Sequence, residues 1–298
     1  MNKPVIFEGA AVAIATPMYQ DGSVNYDALA RLIDFQLNNK TDAIVVCGTT
    51  GEAKTMNTDE HIKVIKFVVD EVAGKVPVIA GAGSNDTAYG VALADEAVEC
   101  GADALLLVTP YYNKTSQEGL VHHYNYIADR AKKPIILYNV PSRTGMDIKP
   151  ETYAELAKHP MIVASKEANG DISALAKSME LCGDNLTFYS GNDDQTTAFM
   201  ALGAKGVVSV LSNIMPLEAH NIAKAALDGD FKESARLQLK YLDMCNTLFC
   251  DVNPIPVKEA LNLMGFEAGE CRMPLYHLNE KNRQKLIHCM KKYGLMND

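Results

Sequence analysis

The sequence holds no C-x-x-C pair among its seven cysteines and no H-x-x-x-H or H-E-x-x-H spacing among its seven histidines. The scattered, odd-numbered cysteines argue against a disulfide framework or a zinc ribbon. The histidine pattern argues against a metal-dependent aldolase or hydrolase, so no metal is expected. Basic charge is short as well: 28 Lys and Arg stand against 37 Asp and Glu, for a formal net charge of −9. That balance disfavours a nucleic-acid groove held by counterion release. Nor does any stretch approach the roughly 18 uninterrupted apolar residues of a membrane span. Near the start, Lys3 and the run Ala11-Val12-Ala13-Ile14-Ala15 imitate an export leader, but Phe7-Glu8-Gly9 interrupts it and the run is too short. These absences leave a cytoplasmic protein, with neither nucleic acid nor membrane as partner, acting on a small molecule.

What the chain does have is an ordinary globular composition, 48% hydrophobic and 22% charged over 298 residues, which suits one large α/β barrel or two smaller domains. Short apolar runs alternate with amphipathic segments at about the spacing of one βα unit. Strands are expected at Val12–Ala15, Ala43–Cys47, Val76–Ala80, Ala104–Val108, Ile135–Tyr138, Ile162–Ser165, Leu186–Tyr189 and Val207–Val210. Helices are expected between them, several opening on an Asp, Ser or Thr cap. Eight unbroken repeats favour a closed (β/α)8 TIM barrel over an open sheet. We therefore expect a catalytic barrel over residues 1–228 and a C-terminal helical extension over 229–298. Within the latter, Asn253-Pro254-Ile255-Pro256 reads as extended, because each proline restricts the residue before it.

In such a barrel the residues just past the strands form one active rim. Here the rim carries Gly48-Thr49-Thr50-Gly51-Glu52, Thr109-Pro110-Tyr111-Tyr112-Asn113, Tyr138-Asn139-Val140-Pro141-Ser142-Arg143-Thr144-Gly145 and Lys166-Glu167. Strand alternation sends Ile162, Ala164 and Lys166 to one side, towards the axis. Burial disfavours the ammonium form of an inward lysine, and a neutral amine can attack a ketone and form a Schiff base. Thr49 and Thr50 between glycines suit an anion, with an ordinary capped turn as the structural alternative. Arg143 offers a fork of donors that fits a carboxylate, or else a surface ion pair. Tyr138 is either a half-buried aromatic or a proton carrier beside the amine. Gly81-Ala82-Gly83 lacks the third glycine of a dinucleotide loop, since Asp86 stands there, so no nicotinamide cofactor is expected. Asp193 and Asp194 read as acidic caps of the helix that follows.

Together these motifs, with Ser116-Gln117-Glu118-Gly119 and Asn253-Pro254-Ile255-Pro256-Val257-Lys258, resemble the dihydrodipicolinate synthase family, in the wider pyruvate-lyase group of class I aldolases. The resemblance runs nearly the length of the chain. It implies condensation of pyruvate with L-aspartate 4-semialdehyde to 4-hydroxy-tetrahydrodipicolinate, in lysine and diaminopimelate biosynthesis. Lys166 would form the pyruvate imine, so that no separate cofactor is needed. Thr49, Tyr138 and Tyr112 would relay protons, with Tyr112 reaching in from a neighbouring subunit of a homotetramer built as a dimer of dimers. Thr50 would hold the pyruvate carboxylate and Arg143 that of the semialdehyde, while Gly191 and Val208 would offer backbone oxygens.

The resemblance also marks effector positions for lysine at Lys54, His61, Asn85, Tyr89 and Tyr111. Tyr89 stands where sensitive members carry a glutamate, Lys54 replaces a small neutral residue and Thr58 a histidine, which implies little inhibition by lysine. N-acetylneuraminate lyase and 2-keto-3-deoxy sugar acid aldolases share the barrel and the lysine, and Arg143 favours the synthase chemistry over the former. A catalytically silent binding barrel would be expected to have lost the lysine or the relay residues, and both are present.

Overall fold

A computed structural model describes residues 3–296. Its eight strands are β1 (Gly9–Ala13), β2 (Ala43–Val46), β3 (Val78–Gly81), β4 (Ala104–Val108), β5 (Ile135–Asn139), β6 (Ile162–Glu167), β7 (Thr187–Ser190) and β8 (Gly206–Ser209). They run parallel in sequence order, and β8 pairs back onto β1, closing the barrel. Period-two alternation divides the core into two shells. Ala11, Val45, Leu106, Ile136, Tyr138 and Val208 fill the axis, where Phe7 stacks on Tyr189 with ring centres 4.2 Å apart at the N-terminal end. Val12, Ile44, Leu105, Leu137 and Phe188 face outwards against the helices.

The helices are α1 (Tyr26–Asn38), α2 (Thr58–Val72), α3 (Thr87–Glu99), α4 (Gln117–Ala128), α5 (Pro141–Thr144), α6 (Pro150–Leu156), α7 (Ile172–Cys182), α8 (Thr196–Ala201), α9 (Pro216–Leu227), α10 (Phe231–Thr247), α11 (Ile255–Leu263) and α12 (Glu280–Lys292). In α2 the Asn57 side chain accepts the Glu60 N–H at the N-cap. His61, Val64, Ile65, Val68 and Val72 make its buried stripe, so sequence spacing alone places this helix against the sheet. The short α5 opens on Pro141 at its first turn.

Three expectations are corrected. Asn253-Pro254 is a cis peptide bond and α11 already begins at Ile255; proline is well tolerated in a first helical turn, so Pro256 does not keep the segment extended. Ile162 faces the outer shell, not the axis. Ile135 pairs with Ile162 but Ile136 pairs with Ala164, so Val163 is an extra residue in the register. This irregularity resets the alternation, and Val163 and Ala164 both join the axial cluster. Asp193 is buried and accepts the N–H groups of Val210 and Leu211, at 2.8 and 2.9 Å, so it caps the turn after β8 instead of the helix that follows it.

Candidate active site

β5 and β6 end in step, with Tyr138 opposite Lys166 and Asn139 opposite Glu167. Alternation turns the first pair inwards and the second outwards. Lys166 lies inside β6, one residue pair further along the strand than its apolar run suggests. It is 6% exposed, and its Nζ lies 4.3 Å from the centre of the Tyr138 ring. Gly191, just past β7, donates its N–H to the Glu167 carbonyl at 2.7 Å. A Cβ at Gly191 would fall 2.7 Å from Ala168 Cβ and 3.2 Å from Lys166 Cε. Glycine is therefore what lets this loop approach the lysine. Val208 sits in the axial cluster beside them.

A cavity of about 300 Å³ opens at the C-terminal ends of the strands. Thr49, Tyr138, Val140, Arg143 and Asn253 line it, and the lysine amine lies against the Tyr138 ring. Thr50 is buried, and its hydroxyl accepts from Asn253 Nδ2 at 3.1 Å. Arg143 is exposed and donates through Nη2 to the Asn253 carbonyl at 3.1 Å. Asn253 thus joins the two residues assigned to the two carboxylates. Behind the loop, Glu52 takes a left-handed backbone and forms a buried ion pair with Lys258 at 2.8 Å. Glu52 also accepts the Arg272 N–H at 2.8 Å. Losing one partner of such a pair strands a charge and costs about 3–5 kcal/mol, so the C-terminal segment holds the Thr49-Thr50 loop firmly.

Tyr112 is set apart from this group. It is 92% exposed and sits at φ 69°, a conformation strained for an aromatic residue. Tyr111 lies inward and lines the cavity with Lys54. Lys54 donates to the Gly83 carbonyl at 2.7 Å, and its ammonium lies 5.0 Å from the centre of the Tyr111 ring. His61 is buried with Nε2 2.8 Å from the Gly81 carbonyl oxygen, and burial lowers its pKa. Thr58 and Tyr89 share a hydroxyl contact of 2.8 Å, and Asn85 donates to the Tyr111 carbonyl at 3.1 Å. Of the expected effector positions, Lys54 and Tyr111 line this cavity, while His61 and Asn85 are held by the backbone of Gly81 and Tyr111, and Tyr89 is tied to Thr58.

The pattern that defines the Dihydrodipicolinate synthetase family matches residues 6–293. The chain belongs to that family. A 4-hydroxy-tetrahydrodipicolinate synthase of Caldicellulosiruptor bescii is 52% identical over 290 residues, covering 97% of this chain and 98% of that protein. The solved dihydrodipicolinate synthase of Aquifex aeolicus is 44% identical with a TM-score of 0.95, over 97% of this chain and 99% of that one. A chloride-inhibited dihydrodipicolinate synthase from Acinetobacter baumannii, solved in complex with pyruvate, is 41% identical with a TM-score of 0.96, over 98% and 100% of the two chains. As a member of the dihydrodipicolinate synthetase family the chain is a lyase.

The lysine, the tyrosines, the threonines and Arg143 stand out in the sequence, whereas Asn253, Glu52 and Lys258 have no role that local pattern assigns. All three lie within the motifs that carry the family resemblance, which is the only signal for them. Among the described residues, no group of three or more His, Cys, Asp or Glu could hold a metal ion, and no helix is long and apolar enough to cross a membrane.

Proposed function

We propose that Lys166 is the nucleophile of the 4-hydroxy-tetrahydrodipicolinate synthase reaction that this chain catalyses, the condensation of pyruvate with L-aspartate 4-semialdehyde. The observation that carries this reading is the buried amine at the end of β6 against the Tyr138 ring. The amine attacks the pyruvate ketone, and loss of water leaves an imine. Loss of a proton from the methyl carbon gives an enamine, whose carbon attacks the aldehyde of the semialdehyde. Ring closure through the amino group of the second substrate then releases Lys166. Thr49, Tyr138 and Tyr112 carry the protons, since each hydroxyl both donates and accepts. Thr50 holds the pyruvate carboxylate, Arg143 that of the semialdehyde, and Gly191 and Val208 present backbone oxygens. The imine itself stabilises the developing charge, so the reaction calls for no metal or other cofactor. The assembly is a homotetramer, a dimer of dimers, working in the cytoplasm. Purified protein should consume pyruvate and aspartate semialdehyde in a coupled assay and leave N-acetylneuraminate uncleaved. Cleavage of the sugar acid without condensation would overturn the reading.

Replacing Arg143 by Lys should lower kcat/KM for the semialdehyde roughly tenfold or more, because a point charge does not reproduce a bidentate fork. Formation of the pyruvate imine should be almost unchanged. Equal losses in both half-reactions would contradict the assigned role. The exposure of Tyr112 supports its working in a partner's site. Inactive Tyr112→Phe and Lys166→Ala subunits should therefore regain part of the activity when mixed and reassembled. No recovery in demonstrated mixed dimers would place Tyr112 outside the relay.

Lys54, Thr58 and Tyr89 offer an added cation and no carboxylate to a cationic effector. A single lost charge-assisted hydrogen bond weakens binding by roughly 1.5–3 kcal/mol, about tenfold or more. Initial rates across a lysine titration should accordingly show no half-inhibition below about 1 mM, a binding free energy near −4 kcal/mol. Half-inhibition below that concentration would show that these substitutions leave the effector site working.

A further inference from the structure

We propose that Asn139 and Glu167 are positioning residues for Tyr138 and Lys166, joined across β5 and β6 on the outer face of the barrel. The proposal rests on Lys166 being the nucleophile. Asn139 is paired with Glu167 one step along the same register that pairs Tyr138 with Lys166. Both outer residues are buried, in a shell that is otherwise largely apolar. A buried carboxyl there is costly unless its oxygens are satisfied, and here they are. Asn139 Nδ2 lies 3.0 Å from each Glu167 oxygen. Tyr153 donates its hydroxyl to Oε2 at 2.7 Å, and the Asn169 N–H donates to Oε1 at 2.8 Å.

Asn139 is equally occupied. Nδ2 also donates to Asp147 Oδ1 at 2.8 Å, and Oδ1 accepts the Ile148 N–H at 3.2 Å. Ser165, the remaining outward residue at this end of β6, donates to the Tyr153 oxygen at 3.1 Å. Burial pushes the Glu167 carboxyl up to about 7, against the lowering effect of its donors. An apolar pair of similar volume would fill this space without that desolvation cost, but it would not fix direction. Successive side chains leave a strand on opposite faces. A directional bond between the outer pair therefore sets the twist of the two strand ends, and with it the aim of the inner pair.

The test compares the rate at which pyruvate and borohydride label Lys166 in Glu167→Ala, Asn139→Ala, the double variant and Tyr153→Phe. Circular dichroism and thermal unfolding are read on each. In folded protein, both single variants should label roughly 10- to 100-fold more slowly, the scale of an ångström-level misplacement. The double variant should be no slower than the slower single one, because the two side chains act as a unit. Tyr153→Phe removes one donor and leaves both strands intact, so it should fall between these and the parent and keeps the test alive if the others fail to fold. Parent-like labelling in folded variants, additive losses in the double variant, or parent-like labelling in Tyr153→Phe would each overturn the proposal. Absence of labelling in the parent would instead refute the nucleophile assignment itself.

Discussion

Lys166→Ala is expected to remain folded and to lose condensation activity by roughly a thousandfold or more, the scale seen when a covalent enzyme loses its nucleophile. The loss should fall on kcat, because binding of both carboxylates is assigned to other residues. Lys166→Arg should be no better, since a guanidinium is not deprotonated in proteins and cannot attack a ketone. Neither change should unfold the chain, because Lys166 stands at the C-terminal end of β6 and the barrel axis beneath it is filled by Ala164, Tyr189 and Val208. Activity assays on thermally intact protein check this directly. An alanine variant within tenfold of the parent would remove Lys166 from the chemistry.

Gly191→Ala should have the second largest effect, and for a different physical reason. The added methyl would lie 2.7 Å from Ala168 Cβ, 3.0 Å from the Glu167 carbonyl oxygen and 3.2 Å from Lys166 Cε. The tightest contact, with Ala168 Cβ, is relieved only by moving the chain just past β6 or the loop at Gly191 that is bonded to it, and either movement shifts the strand end that carries Lys166. Overpacking of this kind costs about 1–3 kcal/mol of stability. The larger consequence is catalytic: a lysine moved by about 1 Å should slow imine formation on the order of 100-fold. Stopped imine trapping and thermal unfolding separate the two effects. Parent-like trapping with a lowered melting temperature would mean that the backbone absorbs the methyl without moving Lys166.

Much of this site was legible before any coordinates. Lys166 and Tyr138 follow from one rule, that a barrel presents its chemistry at strand ends, and the caps and buried stripes of α1 and α2 mark where those helices start and which face they bury. Strand ends were less legible. The expected first strand, Val12–Ala15, starts three residues late and ends two late because Ile14 and Ala15 stay buried beyond the end of β1, and burial rather than pairing is what an apolar run reports. The extra residue at Val163 was invisible because period-two reasoning assumes an unbroken ladder. Asn253 and Lys258 escaped for a related reason. Their partners Thr50 and Glu52 lie more than 200 positions away, and no local pattern encodes a contact of that span. Among the residues assigned to the proton relay, Tyr112 is the one that a single chain leaves in solvent.

The most direct test of the account is where pyruvate becomes covalently attached. Protein incubated with pyruvate and reduced with borohydride should carry one stable adduct per chain, located by peptide mass spectrometry on Lys166, and the adduct should vanish in Lys166→Ala. An adduct on a different lysine, or full condensation activity in protein that forms no adduct, would contradict it.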